Sequence, residues 1–266
     1  MSEKFVHILI KRESGCLDEE KNSDVCIGLL VYFRNVYGCG REISVSNTVN
    51  GRELPIYSVE TEAKQVALSF DATWGNEYMK QILDVLDKYD VKATFFLTGN
   101  WVGKYQEDVK QIQFAGHDIG NHSENHKSMS QLSKEACKEE IVSVHEKVKA
   151  LTGMEMKLFR VPYGDYDDQV IKTAKACGYE VIQWSIDSQD WKDYGKESIV
   201  KTILENKELK GGAIILLHSG AKYTKDALES VILGLREQGY ELVPVSELIY
   251  KENYHLDVTG RQIKNK

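Results

Sequence analysis

The chain has 266 residues, of which 42% are hydrophobic and 28% charged, and its formal net charge is −7. That length suits one large domain, or one domain with a small appendage. Lysines and arginines are scattered through an acidic chain, which argues against a nucleic-acid partner, and the longest apolar run, Val25 to Phe33, is nine residues against the ~18 a membrane helix needs.

Residues 1–60 read as a small β-rich N-terminal segment. "KFVHILIKR" and "CIGLLVYFR" are strand-like, and "EISVSNTV" is a candidate third strand. Gly38, Gly40 and the Asn50-Gly51 pair mark turns between them. The acidic "LDEEKNSD" before Val25 makes that run a poor secretion signal and a better buried strand. Either the protein stays inside, or an export segment is absent from this chain. Five cysteines, Cys16, Cys26, Cys39, Cys137 and Cys177, show no paired metal-ligand spacing. They read as thiols, with a bridge at Cys16 or Cys39 left open.

Residues 61–255 read as one regular domain. "QVALSF" is a strand and "NEYMKQILDVLDKYD" a helix with Tyr78, Ile82, Val85 and Leu86 near one face, capped by Asn76. "KATFFLT" is a strand, "YQEDVKQIQFAG" a helix ended by Gly116, and "HDIGNH" a short strand or turn. A long helix follows, with Ser133 as N-cap and Gly153 after its end. "KLFRVP", "YEVIQWSI", "AIILLH" and "YELVPV" are strands separated by further helices, and residues 256–266 read as a polar C-terminal tail. Strand and helix alternate about seven times, which implies right-handed crossovers and a mostly parallel sheet. With no Gly-rich fingerprint after the first strand, a closed or distorted barrel is preferred to a dinucleotide fold.

Several of these strands end on a chemically able side chain. The first stops on Asp71; the others lead to His122 and His126, to Arg160, to Asp187 and Asp190, and to His218. In a barrel all such ends share one rim. His122 and His126 are four apart, which on a helical turn puts both imidazoles on one side, an arrangement that a divalent ion requires and that ordinary surface histidines also show. Asp71 is a general base or a helix cap. His218, the one polar group of an apolar strand, is a general acid or a core histidine. Arg160 pairs with Asp71 or makes an ordinary rim salt bridge, and Asp190 is placed to orient His218. Trp74, Tyr163 and Trp191 line an apolar groove suited to sugar rings, or pack in the core. His117, His7, His145 and His255 carry no expected role, His117 reading as a surface or cap residue.

"SFDATWG", "HSENH", "RVPYG", "DSQDW" and "LLH" occur in that order. Together they resemble the polysaccharide deacetylases with a NodB-type homology domain, carbohydrate esterase family 4, over roughly Gln65 to Ile249. The "FDATWG" and "QWSIDSQDW" variants are most similar to the sporulation-associated branch. The resemblance implies an α/β fold, a distorted (β/α) barrel of about seven parallel strands. It implies hydrolysis of N-acetyl groups on amino sugars of a glycan such as peptidoglycan or a chitin-like polymer, and a location outside the cytoplasm or in the spore or cell envelope. By position it makes Asp71 the base, His122 and His126 the metal ligands, Arg160 the tether of the base, Asp190 the partner of the acid and His218 the acid. Tyr163 would help hold the oxyanion through its backbone amide, and Leu216 would line the pocket for the acetyl methyl. The metal implied is zinc, with cobalt, manganese or nickel as alternatives.

Ala72 departs from the pattern, since active members usually carry a second aspartate there as a third metal ligand. A methyl group cannot coordinate. The alternative reading is therefore a glycan-binding or weakly active homologue with an impaired metal site. Val161 is a milder departure.

Overall fold

Val66, Leu68, Phe70 and Ala72 alternate along one segment with Ala67, Ser69 and Asp71, and both sets are buried. A strand buried on both faces belongs inside a parallel sheet that is covered on both sides. A computed structural model describes residues 45–46, 48–49 and 51–266, and that segment lies mid-sheet in it. The strands predicted in "KFVHILIKR" and "CIGLLVYFR", with His7, Cys16, Cys26 and Cys39, lie outside the described residues.

In chain order the elements begin with the short strands β1 (Val45–Ser46), β2 (Thr48–Val49), β3 (Arg52–Glu53) and β4 (Ser58–Val59). Next come β5 (Gln65–Ala72), α1 (Met79–Lys88), β6 (Thr94–Leu97), α2 (Gly99–Lys104), α3 (Gln106–Phe114) and β7 (Asp118–Asn121). They are followed by α4 (Lys134–Thr152), β8 (Leu158–Phe159), α5 (Asp168–Ala176), β9 (Glu180–Val181), β10 (Ile186–Asp187) and α6 (Lys196–Leu204). The series closes with β11 (Ile214–His218), α7 (Thr224–Glu237), β12 (Glu241–Leu242), α8 (Val245–Leu248), β13 (Tyr254–Leu256) and β14 (Arg261–Lys264).

The main sheet runs β10-β11-β5-β6-β7-β8-β9, with β12 also on β5, and all its pairings are parallel. It curls into the expected distorted (β/α) barrel, open between β9 and β10. The pleat sorts β5 into two cores. Val66, Leu68, Phe70 and Ala72 join the helix-side cluster with Ile82, Leu86, Leu97 and Trp101. Ala67 faces inward with Phe96, Ile182 and Ile214. The helix ends follow their sequence signals where the caps are local. Ser133 accepts the Ala136 N–H at the start of α4, and Gly153 takes φ 73° after its end.

Four expectations are corrected. "YEVIQWSI" is two strands, β9 and β10, broken at Ile182 to Ser185. The break arises because Ile56, from the N-terminal side, inserts there: its N–H donates to Val181 O and its carbonyl accepts the Gln183 N–H. Residues 256–266 are not a loose tail. β13 and β14 form an antiparallel hairpin, and β14 pairs with β4. Its polar reading hid the fully buried Gln262, whose amide is satisfied by both backbone groups of Tyr250. Asn76 makes no side-chain cap on α1; its amide donates to Asp108. His117 is buried, with Nδ1 accepting the Ala93 N–H, and burial lowers its pKa to about 4.

The segment Ile56–Val59 therefore belongs to the barrel, and residues 51–266 lie within one compact unit. Its seam depends on Gly212, which holds φ at +86° and whose carbonyl accepts the Val59 N–H at 3.0 Å. A methyl group there would stand 1.8 Å from Val59 O. Gly212→Ala is expected to lower the unfolding free energy by about 2–3 kcal/mol. Urea denaturation reads the change, and an unaltered midpoint contradicts the seam.

Candidate active site

Asp71 ends the inward face of β5, two residues beyond Ser69. Beneath it lies Arg160, fully buried at the end of β8. Arg160 Nη1 donates to Asp71 Oδ1 at 2.8 Å, and Nη2 donates to Ser69 Oγ at 2.8 Å and Gln183 O at 3.2 Å. The guanidinium lies 4.1 Å from the centre of the Phe96 ring. Burial alone would raise the Asp71 carboxyl, but the charges of His122, Arg160 and His218 outweigh it and the net shift is downward. His122 is itself held toward the neutral form by burial, so Arg160 is the lasting source of that charge.

His218 ends β11, and in the parallel ladder its register partner is Asp71. The candidate acid and base thus stand side by side on adjacent strands. Behind His218, the fully buried Asp190 accepts its Nδ1–H at 2.8 Å and its backbone N–H at 2.7 Å. The Thr224 hydroxyl also donates to Asp190, at 2.6 Å. This leaves Nε2 outside the pairing with Asp190. Burial pulls the His218 pKa down, but the hydrogen bond and charge of Asp190, helped by Asp71, raise it above the ordinary value. Trp74 stacks on the ring, with centroids 5.3 Å apart and planes at 28°.

His122 and His126 come together differently from the expected helical turn. Residues 122–128 form an irregular loop after β7. Asn121 Oδ1 accepts the Ser123 N–H, Ser123 Oγ accepts the His126 N–H, and buried Glu140 accepts both the N–H and the side-chain amide of Asn125. Ser123 and His126 take φ values of 65° and 55°, so the loop turns back and brings the two rings into contact. His122 Nδ1 lies 2.8 Å from Arg160 O. A carbonyl only accepts, so Nδ1 carries the proton and Nε2 a lone pair. That Nε2 is 3.1 Å from His126 Nε2 and 3.3 Å from Asp71 Oδ2. Burial lowers the pKa of both rings, that of His126 to about 4.

These side chains border one cavity of about 390 Å³. Asp71, His126 and His218 line it, together with the predicted Trp74, Tyr163, Trp191 and Leu216. Arg160, Asp190 and His122 are sealed behind its wall. Tyr163 sits at φ 60°, its ring edge-on to His126 with centroids 4.4 Å apart. Two lining residues had no role in the sequence reading, Trp184 and Asp187. Trp184 falls in the strand break that the apolar pattern concealed. Asp187 was visible as a strand-end acid, but its neighbour Asp190 has the pairing role.

Comparison with known proteins agrees with this geometry. The model of the Polysaccharide deacetylase family matches residues 58–182. A peptidoglycan-N-acetylglucosamine deacetylase of Bacillus cereus is 39% identical over 198 residues, 73% of this chain and 92% of the relative. The peptidoglycan-N-acetylmuramic acid deacetylase PdaA of Bacillus subtilis is 33% identical over 204 residues, 75% of this chain and 77% of the relative. The crystal structure of a CE4 family pseudoenzyme from Bacillus anthracis is similar with a TM-score of 0.70 and 35% identity, covering 73% of this chain and 68% of that one. The chain belongs to the polysaccharide deacetylase family, carbohydrate esterase family 4.

Proposed function

We propose that the protein hydrolyses N-acetyl groups from amino sugars of a cell-envelope glycan, peptidoglycan first among them. Since the family includes a pseudoenzyme, the reading rests on geometry more than on kinship. The observation that carries it is the ladder register of Asp71 with His218, each backed by its own buried counter-charge. The motif variants quoted above favour the sporulation-associated branch and a spore or envelope setting.

In this reading Asp71 takes a proton from water as its oxygen forms a bond to the acetyl carbon. Arg160 keeps the carboxylate ionised and aimed. The backbone amide of Tyr163 donates to the developing oxyanion. The C–N bond then breaks, His218 delivers its Nε2 proton to the departing amine, and acetate leaves. Trp74 and Trp191 hold the sugar, and Leu216 meets the acetyl methyl. Their apolar surfaces exclude water and strengthen the charges inside.

A divalent ion fits part of this donor set. Among the described residues no group of three or more His, Cys, Asp or Glu side chains forms a complete metal site. What is present is a pair of neutral imidazoles with Nε2 atoms 3.1 Å apart and Asp71 Oδ2 at 3.3 Å from one of them. Two ligands of one tetrahedral zinc ion stand about 3.3–3.4 Å apart, given bonds of about 2.0–2.1 Å. His122 and His126 would hold the ion, zinc or else cobalt, manganese or nickel. When bound, such an ion supplies Lewis-acid polarisation of the acetyl carbonyl.

Ala72 supports a second reading, a glycan-binding homologue with little turnover. It is fully buried and belongs to the helix-side core, on the opposite face of β5 from Asp71. The protein's own donors thus number two imidazoles and the base, which makes for a weak site.

Acetate release from N-acetylated oligosaccharides, with and without added zinc, separates the two readings, since binding without release favours the second. His218→Ala is expected to cut kcat by about 100-fold or more, the usual worth of a positioned acid, and to lower the Tm because Asp190 loses its buried partner, while the protein stays folded. Near-normal turnover of that variant would remove His218 from the mechanism. The raised His218 pKa predicts that kcat/KM falls as pH rises through a value above the ordinary 6.5 of histidine. Asp190→Asn removes the main raising influence and should move that alkaline limb to lower pH; a limb that stays in place refutes the pairing. Ala72→Asp buries a carboxylate in the core and should lower the Tm of the metal-free protein. Zinc should restore it if position 72 can reach the ion, and thermal unfolding with and without zinc reads both effects.

A further inference from the structure

Asp187 lines the cavity but takes no part in the chemistry above. It lies at the end of β10, and its register partner on β11 is Leu216, two residues before His218. Its Oδ1 accepts the Gln189 N–H at 2.8 Å, an Asx turn that fixes the carboxylate at the wall.

Two of the charged groups at the cavity have a close ion-pair partner, whereas Asp187 acts on His218 only through its charge, without an ion pair. Asp71 is matched by Arg160, and His218 by Asp190. Asp187 has no ion-pair partner among the described residues, and no lysine or arginine among them lines the cavity. Lys192 packs on the Trp191 ring at 5.0 Å and donates to Gln189, but it is not part of the cavity wall. The imidazole pair follows β7, with β11, β5 and β6 between it and β10 in the sheet. Those imidazoles reach Asp71 on β5, and β11 stands between β5 and β10.

We propose that Asp187 sets substrate choice: it selects neutral N-acetyl sugars of the N-acetylglucosamine type and rejects those bearing a free lactyl carboxylate, as N-acetylmuramic acid does. A carboxylate accepts hydroxyl hydrogen bonds from a neutral sugar. It repels a second carboxylate, and because Trp74 and Trp191 beside it are solvent-exposed the repulsion is partly screened. After reaction the new ammonium group meets the same negative charge, so a partly deacetylated chain is retained better than an acetylated one. This inference rests on the deacetylase reading and goes beyond it by naming the sugar.

The test compares three oligosaccharides of equal length: one of N-acetylglucosamine alone, one with alternating N-acetylmuramic acid bearing free lactyl carboxylates, and the same with those carboxylates methylamidated. Acetate release gives kcat/KM, and calorimetry with each oligosaccharide gives affinity. Neutral substrate should be preferred by about ten-fold or more, a modest value for like charges facing each other across a site. Amidation should recover most of the loss, and raised salt should narrow it. Asp187→Asn, which keeps the acceptor for Gln189, should bring the ratio close to one. Equal use of all three substrates, a preference that amidation does not relieve, or a ratio untouched in Asp187→Asn overturns the assignment. Absence of acetate from every substrate overturns the deacetylase reading instead, and the calorimetric ratio then still decides whether Asp187 discriminates by charge.

Discussion

The site depends on one buried guanidinium. Arg160 reaches from the end of β8 through the inside of the curl to Asp71 and Ser69 on β5 and to Gln183 in the break between β9 and β10. Its carbonyl also accepts from His122. One residue thus fixes the base and one imidazole. A buried pair of this kind recovers little net stability, because both charges lose their water. Its value lies in specification: with Arg160 in place, Asp71 has one position and one ionisation state. The surrounding fold provides the conditions, with Phe96 under the guanidinium and the Ile56–Val59 segment closing the open edge of the sheet.

Backbone strain collects around the same point. Ser123, His126, Tyr163 and Gln189 all hold positive φ without being glycine, a conformation that costs of order 1 kcal/mol or more for most side chains. Each sits in a loop at the C-terminal ends of the strands. Hydrogen bonds from Asn121 and Ser123, and the grip of Glu140 on Asn125, hold the His122–His126 loop in that state. The helix-rich exterior supplies the rigidity: Glu140 belongs to α4, whose ends follow local capping rules.

The pleat separates position 72 from the cavity. Asp71 and Ala72 are neighbours in sequence, yet one faces the cavity and the other the helix-side core. The acid–base pair and its two counter-charges are therefore complete without position 72. Position 72 itself is filled by a methyl group in the helix-side core.

The sequence by itself determined the α/β alternation, helix ends such as those of α4, and the strand termini that hold the candidate residues, because apolar periodicity, Ser133-type caps and C-terminal glycines act over a few residues. It also placed Asp71, His122, His126, Arg160, Asp190 and His218 at one rim, since parallel strands share a direction. It could not show that β11 lies beside β5 with His218 opposite Asp71, that a back-turned loop and not a helix joins the two imidazoles, or that Ile56 splits "YEVIQWSI" and uncovers Trp184. Nor could it show that the polar end of the chain pairs with β4. Those features arise from contacts between residues far apart in the chain. Only the tertiary structure decides them, because strand order, register and the burial of a polar group depend on which distant partner arrives to satisfy the backbone.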